Sequence, residues 1–287
     1  MSRLFKREAT VIVGDLRFKN DRTIAGIRVP GMRIQFRVVR TNESTSNTAE
    51  VSIFNLNATS RSRIEGATRP QFQIEAGYDG QLASLFTGEA VEQSSVKLPN
   101  GWQTKVKAAD GFSASRQTLS VSLAPGASMD QAIKEVANSM KVSARRALAK
   151  AATGDLDGAV GAFANGISMS GPSSKLMDQL MKNSGADWSI QDGELQILLP
   201  DETTQDQAIL LTPRTGLIGI PTRVIDEKRP KQLIVSIPSL LLTGIRPGRR
   251  IELQDTSFTG SFKATKVEHA GDTHGGDWTT TTEAIEV

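Results

Sequence analysis

The residues best suited to chemistry lie near the C-terminus, in the segment EHAGDTHGGDW. His269, Asp272, His274 and Asp277 fall within nine positions there, and imidazole and carboxylate groups are common metal ligands. The alternative interpretation is a long polar hairpin loop between two strands, which the neighbouring glycines would make flexible. Because a hairpin tip preorganises ligands poorly, we favour the loop and predict no metal site.

Other chemical signals in the sequence are weaker. The run Asp155-Leu156-Asp157-Gly158 matches part of a calcium loop, but it lacks the third acidic residue and the terminal glutamate. The acidic pairs Asp201-Glu202 and Asp226-Glu227 fall where turns or strand ends are expected, and no nucleophile elbow, Walker loop or dinucleotide fingerprint is present. Cysteine is absent, which excludes thiolate chemistry. We therefore predict no catalytic residue, no cofactor and no enzymatic activity.

Two basic pairs, Arg145-Arg146 and Arg249-Arg250, could contact phosphate groups. They stand alone, without interleaved aromatic residues, so solvated surface or a salt bridge between subunits is the favoured interpretation. The chain carries 34 Lys and Arg against 31 Asp and Glu, a net charge of +3. That balance is too even to indicate nucleic-acid binding by charge.

The composition bounds the kind of core that the chain can build. Its 287 residues suffice for one large domain or for two to three small ones. With one Tyr and three Trp, the cores must be mainly aliphatic. Met1–Asp15 lacks the continuous apolar segment of a signal peptide, and no run approaches the roughly 20 apolar residues that span a bilayer. We expect a soluble protein, made in a reducing compartment and without a membrane-spanning segment.

Residues 1–111 are predicted to be almost entirely β. In Gln71–Tyr78, apolar residues alternate with Gln71, Gln73 and Glu75, as a half-buried strand requires. A short helix at Ala58–Glu65 and an Asp79-Gly80 hairpin turn are also expected. The other predicted strands are Thr10–Phe18, Thr23–Val29, Met32–Arg40, Ala49–Leu56, Ser84–Val91 and Trp102–Ala109. Short strands at this spacing indicate a sandwich or a barrel.

Residues 112–207 are predicted to form a small α/β module. One helix begins at Ser128, where Gln131 completes a capping-box pattern. Another begins near Pro172, at a plausible first helical position, and ends at Gly185. Asp192-Gly193 is predicted to turn a hairpin between Asp187–Gln191 and Glu194–Leu199. Residues 144–166 form an Ala- and Gly-rich excursion, with a marginal helix at 144–152.

Residues 208–287 return to β character, with strands predicted around Leu233–Ile237, Arg250–Leu253, Gly260–Val267 and Trp278–Ile285. The predicted fold class is therefore mainly β with an α+β insertion. Two β-barrel or sandwich domains, residues 1–111 and 208–287, flank the small α/β module. The pattern permits these two domains to form one unit, and it leaves open whether they share one fold.

Several stretches, taken in order, resemble the baseplate hub proteins of contractile phage tails, a family that includes the late-control D proteins. The run VSIFNLN…RSRIEG…FQIEAGYDG…LFTGEA is similar to the N-terminal domain of these hubs. The run ISMSGPSSKLMDQLMKNSGADWSIQDGELQIL resembles their middle module. GLIGIPTRV, SLLLTGIRPGRRIEL and GSFKATKVEHAGDTHGGDWTTTTEAI resemble their C-terminal domain. The excursion at 144–166 departs from the family, in which a shorter link is usual.

The resemblance implies a homotrimer on the tail axis, in which two tail-tube-like β domains per subunit make a pseudo-sixfold ring. Such a ring would join a hexameric tail tube to a trimeric central spike and contact other baseplate proteins. Tape-measure protein and DNA would pass through its lumen without sequence-specific binding. The protein would be made in the host bacterial cytoplasm and act in the virion tail baseplate during DNA ejection, without catalysis.

Two alternatives stay open at this point. One is a cell-wall-degrading or carbohydrate-binding tail component, and the other is a tube adaptor that assembles as a hexamer. The alternating polar faces of Arg33, Gln35 and Arg37 and of Lys105 and Lys107 could line a lumen or face outward. Sequence alone does not choose between these orientations.

Overall fold

The computed structural model describes residues 6–24, 27–78, 80–151, 163–225 and 233–287. The predicted turn residue Asp79, the calcium-loop fragment Asp155–Gly158 and the acidic pair Asp226-Glu227 lie outside the described residues, as do residues 152–162 of the excursion at 144–166. The chain divides into two compact units. The larger comprises Met1–Arg40, Thr48–Ala109 and Thr203–Val287, and the smaller comprises Thr41–Asn47 and Asp110–Glu202. The three sequence domains stay a prediction.

The larger unit is built on one hydrogen-bonded sheet of 13 strands. Its N-terminal strands are β1 (Arg7–Val13), β2 (Leu16–Lys19), β5 (Ile34–Thr41), β6 (Thr48–Phe54), β7 (Gln71–Tyr78), β8 (Gln81–Leu98) and β9 (Gly101–Ala109). Strands β3 (Asp21–Ile24) and β4 (Ile27–Pro30) form a separate hairpin, and helix α1 (Ala58–Gly66) links β6 to β7. The mainly β architecture confirms the predicted fold class.

The C-terminal strands continue the same sheet. They are β14 (Ile209–Leu211), β15 (Thr222–Val224), β16 (Ile234–Leu240), β17 (Arg250–Gln254), β18 (Thr259–Asp272) and β19 (Trp278–Glu286). The main path runs β15-β16-β19-β18-β5-β6-β9-β8-β7-β1-β2, and β17 pairs with β14 and β18. Strand β18 therefore carries the sheet from the C-terminal strands to the N-terminal ones.

Two hydrophobic clusters lie within this unit. The first is formed mainly by inward residues of the N-terminal strands, such as Val11, Ile34 and Phe72, and it also includes Leu241 and Trp278. The second is formed by C-terminal residues alone. Because each cluster is aliphatic with few aromatic rings, the expectation drawn from the composition is confirmed. The unit thus has two cores under one continuous sheet.

Some predicted boundaries in the β regions were wrong. Thr10–Phe18 is not one strand, because the chain reverses at Gly14-Asp15 and β2 pairs back on β1. Thr23–Val29 is likewise the β3–β4 hairpin. Apolar residues stand on both sides of Gly14-Asp15, so a periodicity argument did not detect the chain reversal there.

The smaller unit packs helices against two short two-stranded antiparallel sheets. Its elements are α2 (Phe112–Ser115), β10 (Thr118–Leu123), α3 (Met129–Met140), α4 (Arg145–Ala151), β11 (Ile167–Pro172), α5 (Ser173–Ser184), β12 (Asp187–Gln191) and β13 (Glu194–Leu198). The two sheets are β10–β11 and β12–β13. The apolar stripes of α3 and α5 form its core, with Trp188 among the buried residues. Strand β11 was not predicted, and Pro172 is the N-cap of α5 rather than its first residue.

Local signals in the smaller unit were predicted well. Ser128 N–H donates to Gln131 Oε1 at 3.2 Å, so the capping box forms. Asp192 and Gly193 have φ angles of 54° and 80°, and this pair of positive values makes the tight hairpin turn between β12 and β13. The Asp110 carboxylate accepts hydrogen bonds from both of their N–H groups.

The loop Thr41–Asn47 belongs to the smaller unit through a polar network around Asn47. The Asn47 side chain donates to Ile190 O at 2.9 Å and accepts from Thr41 N–H at 2.8 Å. Gln191 Nε2 in turn donates to Thr41 O at 2.7 Å. Because Asn47 is almost fully buried, each of these bonds replaces a lost contact with water.

Candidate assembly surfaces

The histidine and aspartate residues near the C-terminus do not converge on one point. Strand β18 extends through Asp272, so His269 lies within the strand and not in the loop to which the sequence assigned it. Its Nδ1 is 2.8 Å from Thr280 Oγ1 in the interior, whereas His274 lies in the exposed turn. Among the described residues, no group of three or more His, Cys, Asp or Glu side chains is placed to hold a metal.

The side chains of His269 and Asp272 have pKa values well below their usual ones. Burial, followed by the nearby guanidiniums of Arg40 and Arg246, lowers the pKa of His269 to about 3. Partial burial alone would raise the pKa of Asp272, but hydrogen bonds from Arg33, the His274 N–H and Gln35 outweigh it and lower that pKa to about 2. The imidazole is therefore held neutral and the carboxylate is held charged.

Asp272 anchors the junction between β18 and β5. Its Oδ2 accepts from Arg33 Nη2 at 2.6 Å and from Gln35 Nε2 at 2.9 Å. Thr273 N–H donates to Ile34 O at 3.0 Å, which extends the contact beyond the strand end. Residues separated by more than 230 positions in the sequence are thus joined by backbone and side-chain bonds.

An aromatic cluster lies behind this junction. The rings of Phe36 and Trp278 meet edge to face with centroids 5.3 Å apart, and Tyr78 approaches Trp278 at 6.4 Å. Gly271 leaves room for the pair, because a Cβ there would lie 2.3 Å from Phe36 Cζ and 2.8 Å from Trp278 Cε3. Only glycine therefore allows the two β regions to close on each other at this position.

A row of alternating charges crosses the sheet on the face that carries Arg33, Gln35 and Asp272. Arg37 pairs with Glu268 at 2.6 Å and lies opposite Glu50, which lies opposite Lys107. Lys107 Nζ then reaches Glu92 Oε2 at 2.9 Å. Hydrogen bonding to Glu268 and Glu92 raises the pKa of Arg37 and of Lys107, respectively. The predicted polar faces of β5 and β9 are in this way parts of one surface on which neighbouring charges neutralise each other.

The far half of β8 presents a strand edge. Strand β7 pairs with β8 only over Gln81–Glu89, so from Val91 to Leu98 the described part of the chain pairs β8 with β9 alone. Val91, Val96 and Leu98 are exposed there, Val96 by 50%. An unpaired strand edge with exposed apolar side chains is suited to pairing with another chain.

Three arginines of the basic pairs have partners within the chain. Arg249 donates to the carbonyl oxygens of Gln207 and Gly244 at 2.7–3.0 Å, and Arg250 pairs with Glu252 at 2.6 Å. Arg146 lies 3.9 Å from Glu194. Arg146 and Arg250 are nevertheless exposed, in line with the solvated surface that the sequence favoured, whereas Arg249 is half-buried.

The sequence matches no protein-family model and no curated protein. Its fold, however, is that of tail proteins. The 43 kDa tail protein of prophage MuSo2 from Shewanella oneidensis aligns with a TM-score of 0.65 at 9% identity, over 98% of each chain. A tail protein from Neisseria meningitidis MC58 aligns with a TM-score of 0.62 at 12% identity, over 98% of this chain and 97% of that one.

A third similar structure comes from a secretion system. The E. coli c3393 protein is a component of the type VI secretion system, with structural similarity to the T4 bacteriophage tail proteins gp27 and gp5. It aligns with a TM-score of 0.57 at 10% identity, over 92% of this chain and 76% of that one. Within the described residues, no helix is both long and apolar enough to cross a membrane.

Proposed function

We propose that this protein is a structural hub in the baseplate of a contractile phage tail or of a related injection machine. The observation that carries the proposal is the fold that the chain shares with phage tail proteins. In this chain, one continuous sheet covers two separate β cores. Three such chains around an axis would present six β cores, which matches a hexameric tube on one side and a trimeric spike on the other.

The strand edge of β8 supports the assembly step. In a homotrimer, residues 91–96 of this edge would pair with a strand of the next subunit and bury Val91 and Val96. The junction at Asp272 and Gly271 would hold the two β regions of each subunit as one piece, so that the ring transmits its symmetry without hinge motion. The protein would act in this way by geometry and without catalysis.

The charge row on the sheet supports a channel function. Glu268, Arg37, Glu50, Lys107 and Glu92 alternate in sign, so a polyanion that passes along this face meets no net attraction. We propose that this face lines the lumen through which tape-measure protein and DNA pass, in a particle whose parts are made in the bacterial cytoplasm. The partners would be the tube protein, the central spike and other baseplate proteins.

Native mass spectrometry of the purified chain tests the proposal. A trimer at micromolar concentration is expected, and Val96→Lys should shift it to monomer because a charge is placed on the pairing edge. Leu210→Lys is the matched control, since Leu210 is similarly exposed but lies on β14, among the C-terminal strands and not beside β8. A hexamer would favour the tube adaptor, and a lasting monomer or cleavage of purified peptidoglycan would overturn the hub proposal.

A further inference from the structure

A pocket of about 990 Å³ opens on the larger unit beside β2, at the ends of β6 and β8. Its apolar lining includes Met32, Phe54, Leu98 and Trp102. None of these four side chains is fully buried, so the pocket offers aliphatic and aromatic surface to a ligand. A pocket of this volume has room for one or two bulky side chains of a bound segment.

The wall of the pocket that carries Trp102 is held in place before any ligand arrives. Trp102 N–H donates to Asn55 Oδ1 at 3.1 Å, and Asn55 N–H donates to Trp102 O at 2.8 Å. Gly101, with φ of 133°, packs so closely that a Cβ would lie 1.9 Å from Asn55 Oδ1. The Arg61 guanidinium covers one face of the Trp102 ring at 4.0 Å. Because the wall is preformed, little ordering cost opposes binding.

The charged residues around the pocket are of one sign. Arg17, Lys19 and Arg33 line it, and no Asp or Glu is among its described lining residues. Arg33 is already paired with Asp272, and Arg17 lies 3.8 Å from Glu75. Lys19 is exposed and has no ion-pair partner in the part of the chain that the structure describes. The excess charge of the lining is therefore positive, and Lys19 is the cation left to meet a ligand.

We propose that this pocket binds a segment of a partner protein in which a bulky apolar side chain is flanked by carboxylates. The apolar side chain fills the space between Leu98, Phe54 and Trp102, and a carboxylate meets Lys19. The inference rests on the proposed function in one respect only, namely that the partner is a neighbouring protein in the assembly.

A peptide fits these features better than a nucleic acid. Arg33 lies over the Phe54 ring at 5.0 Å and Arg61 over the Trp102 ring, so one face of each ring is occupied and unable to stack on a base. Three cations in the lining, two of them near carboxylates, make no continuous phosphate track.

Fluorescence anisotropy with two probes tests this inference on the purified chain. One labelled peptide has a leucine-phenylalanine centre with two aspartates on either side, and the other has lysines in their place. We expect the acidic peptide to bind at least tenfold tighter than the basic one at low salt. Lys19→Glu should weaken acidic-peptide binding at least tenfold, whereas Lys105→Glu, the same charge change outside the pocket, should leave it within twofold.

Three results would overturn the inference. They are equal binding of both peptides, an unchanged affinity in Lys19→Glu with native circular dichroism, and displacement of the acidic peptide by an oligothymidine strand. The peptide assay does not depend on oligomeric state. A trimer that fails to bind the peptide removes the pocket inference alone, and a monomer that binds it removes the hub proposal alone.

Discussion

Acidification from pH 7.5 to 5 is expected to destabilise the larger unit through the buried imidazole of His269. This side chain is 1% exposed, and its Nδ1 contacts Thr280 Oγ1. Burial and the charges of Arg40 and Arg246 lower its pKa from 6.5 to about 3. The unfolded chain takes up a proton near pH 6.5, whereas the folded one does not until about pH 3. The stabilisation is therefore complete above pH 6.5 and is lost as the pH falls toward 3.

The size of the loss follows from the two pKa values. One pKa unit corresponds to about 1.4 kcal/mol, so the full difference amounts to roughly 5 kcal/mol and about 2 kcal/mol of it is lost by pH 5. Asp272 acts in a separate window, because its folded pKa of about 2 lies below the unfolded value of 3.8. Its stabilisation is present above pH 4 and is lost below. Because the chain has only two histidines and no cysteine, few other side chains change their charge between pH 5 and 7.5.

Urea unfolding at four pH values between 5 and 7.5 measures the effect. A Trp188→Phe background confines the tryptophan signal to Trp102 and Trp278, both of which belong to the larger unit. The reference protein and His274→Gln should each lose about 2 kcal/mol of unfolding free energy between pH 7.5 and 5. His269→Gln, which retains a partner for Thr280, should lose less than about 0.5 kcal/mol over the same range. A flat profile in the reference, or an unchanged slope in His269→Gln, would refute the reasoning.

Three further substitutions test close packing at Gly271 and the polar network around Asn47. Gly271→Ala should lower the unfolding free energy by about 1–3 kcal/mol because of overpacking, while Gly66→Ala, where nothing lies within 4 Å, should be neutral or stabilise by up to about 1 kcal/mol. Equal effects of both in urea unfolding would contradict the steric argument. Asn47→Ala should cost about 2–3 kcal/mol by leaving Ile190 O without its side-chain donor. Urea unfolding monitored by Trp188 fluorescence measures this change. A loss of unfolding free energy below about 0.5 kcal/mol would show that the network does not hold the loop Thr41–Asn47.

Much of the local structure could be predicted from the sequence. Period-two alternation located Gln71–Tyr78 within its observed bounds, and the Asp192-Gly193 pair identified a hairpin turn. The capping box at Ser128 placed the start of α3 correctly. These signals depend on contacts between residues a few positions apart, so they survive without knowledge of the rest of the fold.

The sequence by itself determined most of the strands and helices, although not β11 or the reversal between β1 and β2, and it determined that the cores are mainly aliphatic. Only the tertiary structure decided that β18 joins β5, and with it the partners of Asp272 and the charge row through Arg37. The sequence placed Gly271 in a polar loop, whereas the structure places it against the rings of Phe36 and Trp278. The physical reason is that side-chain alternation fixes the faces of a strand, whereas its neighbours depend on packing between distant segments.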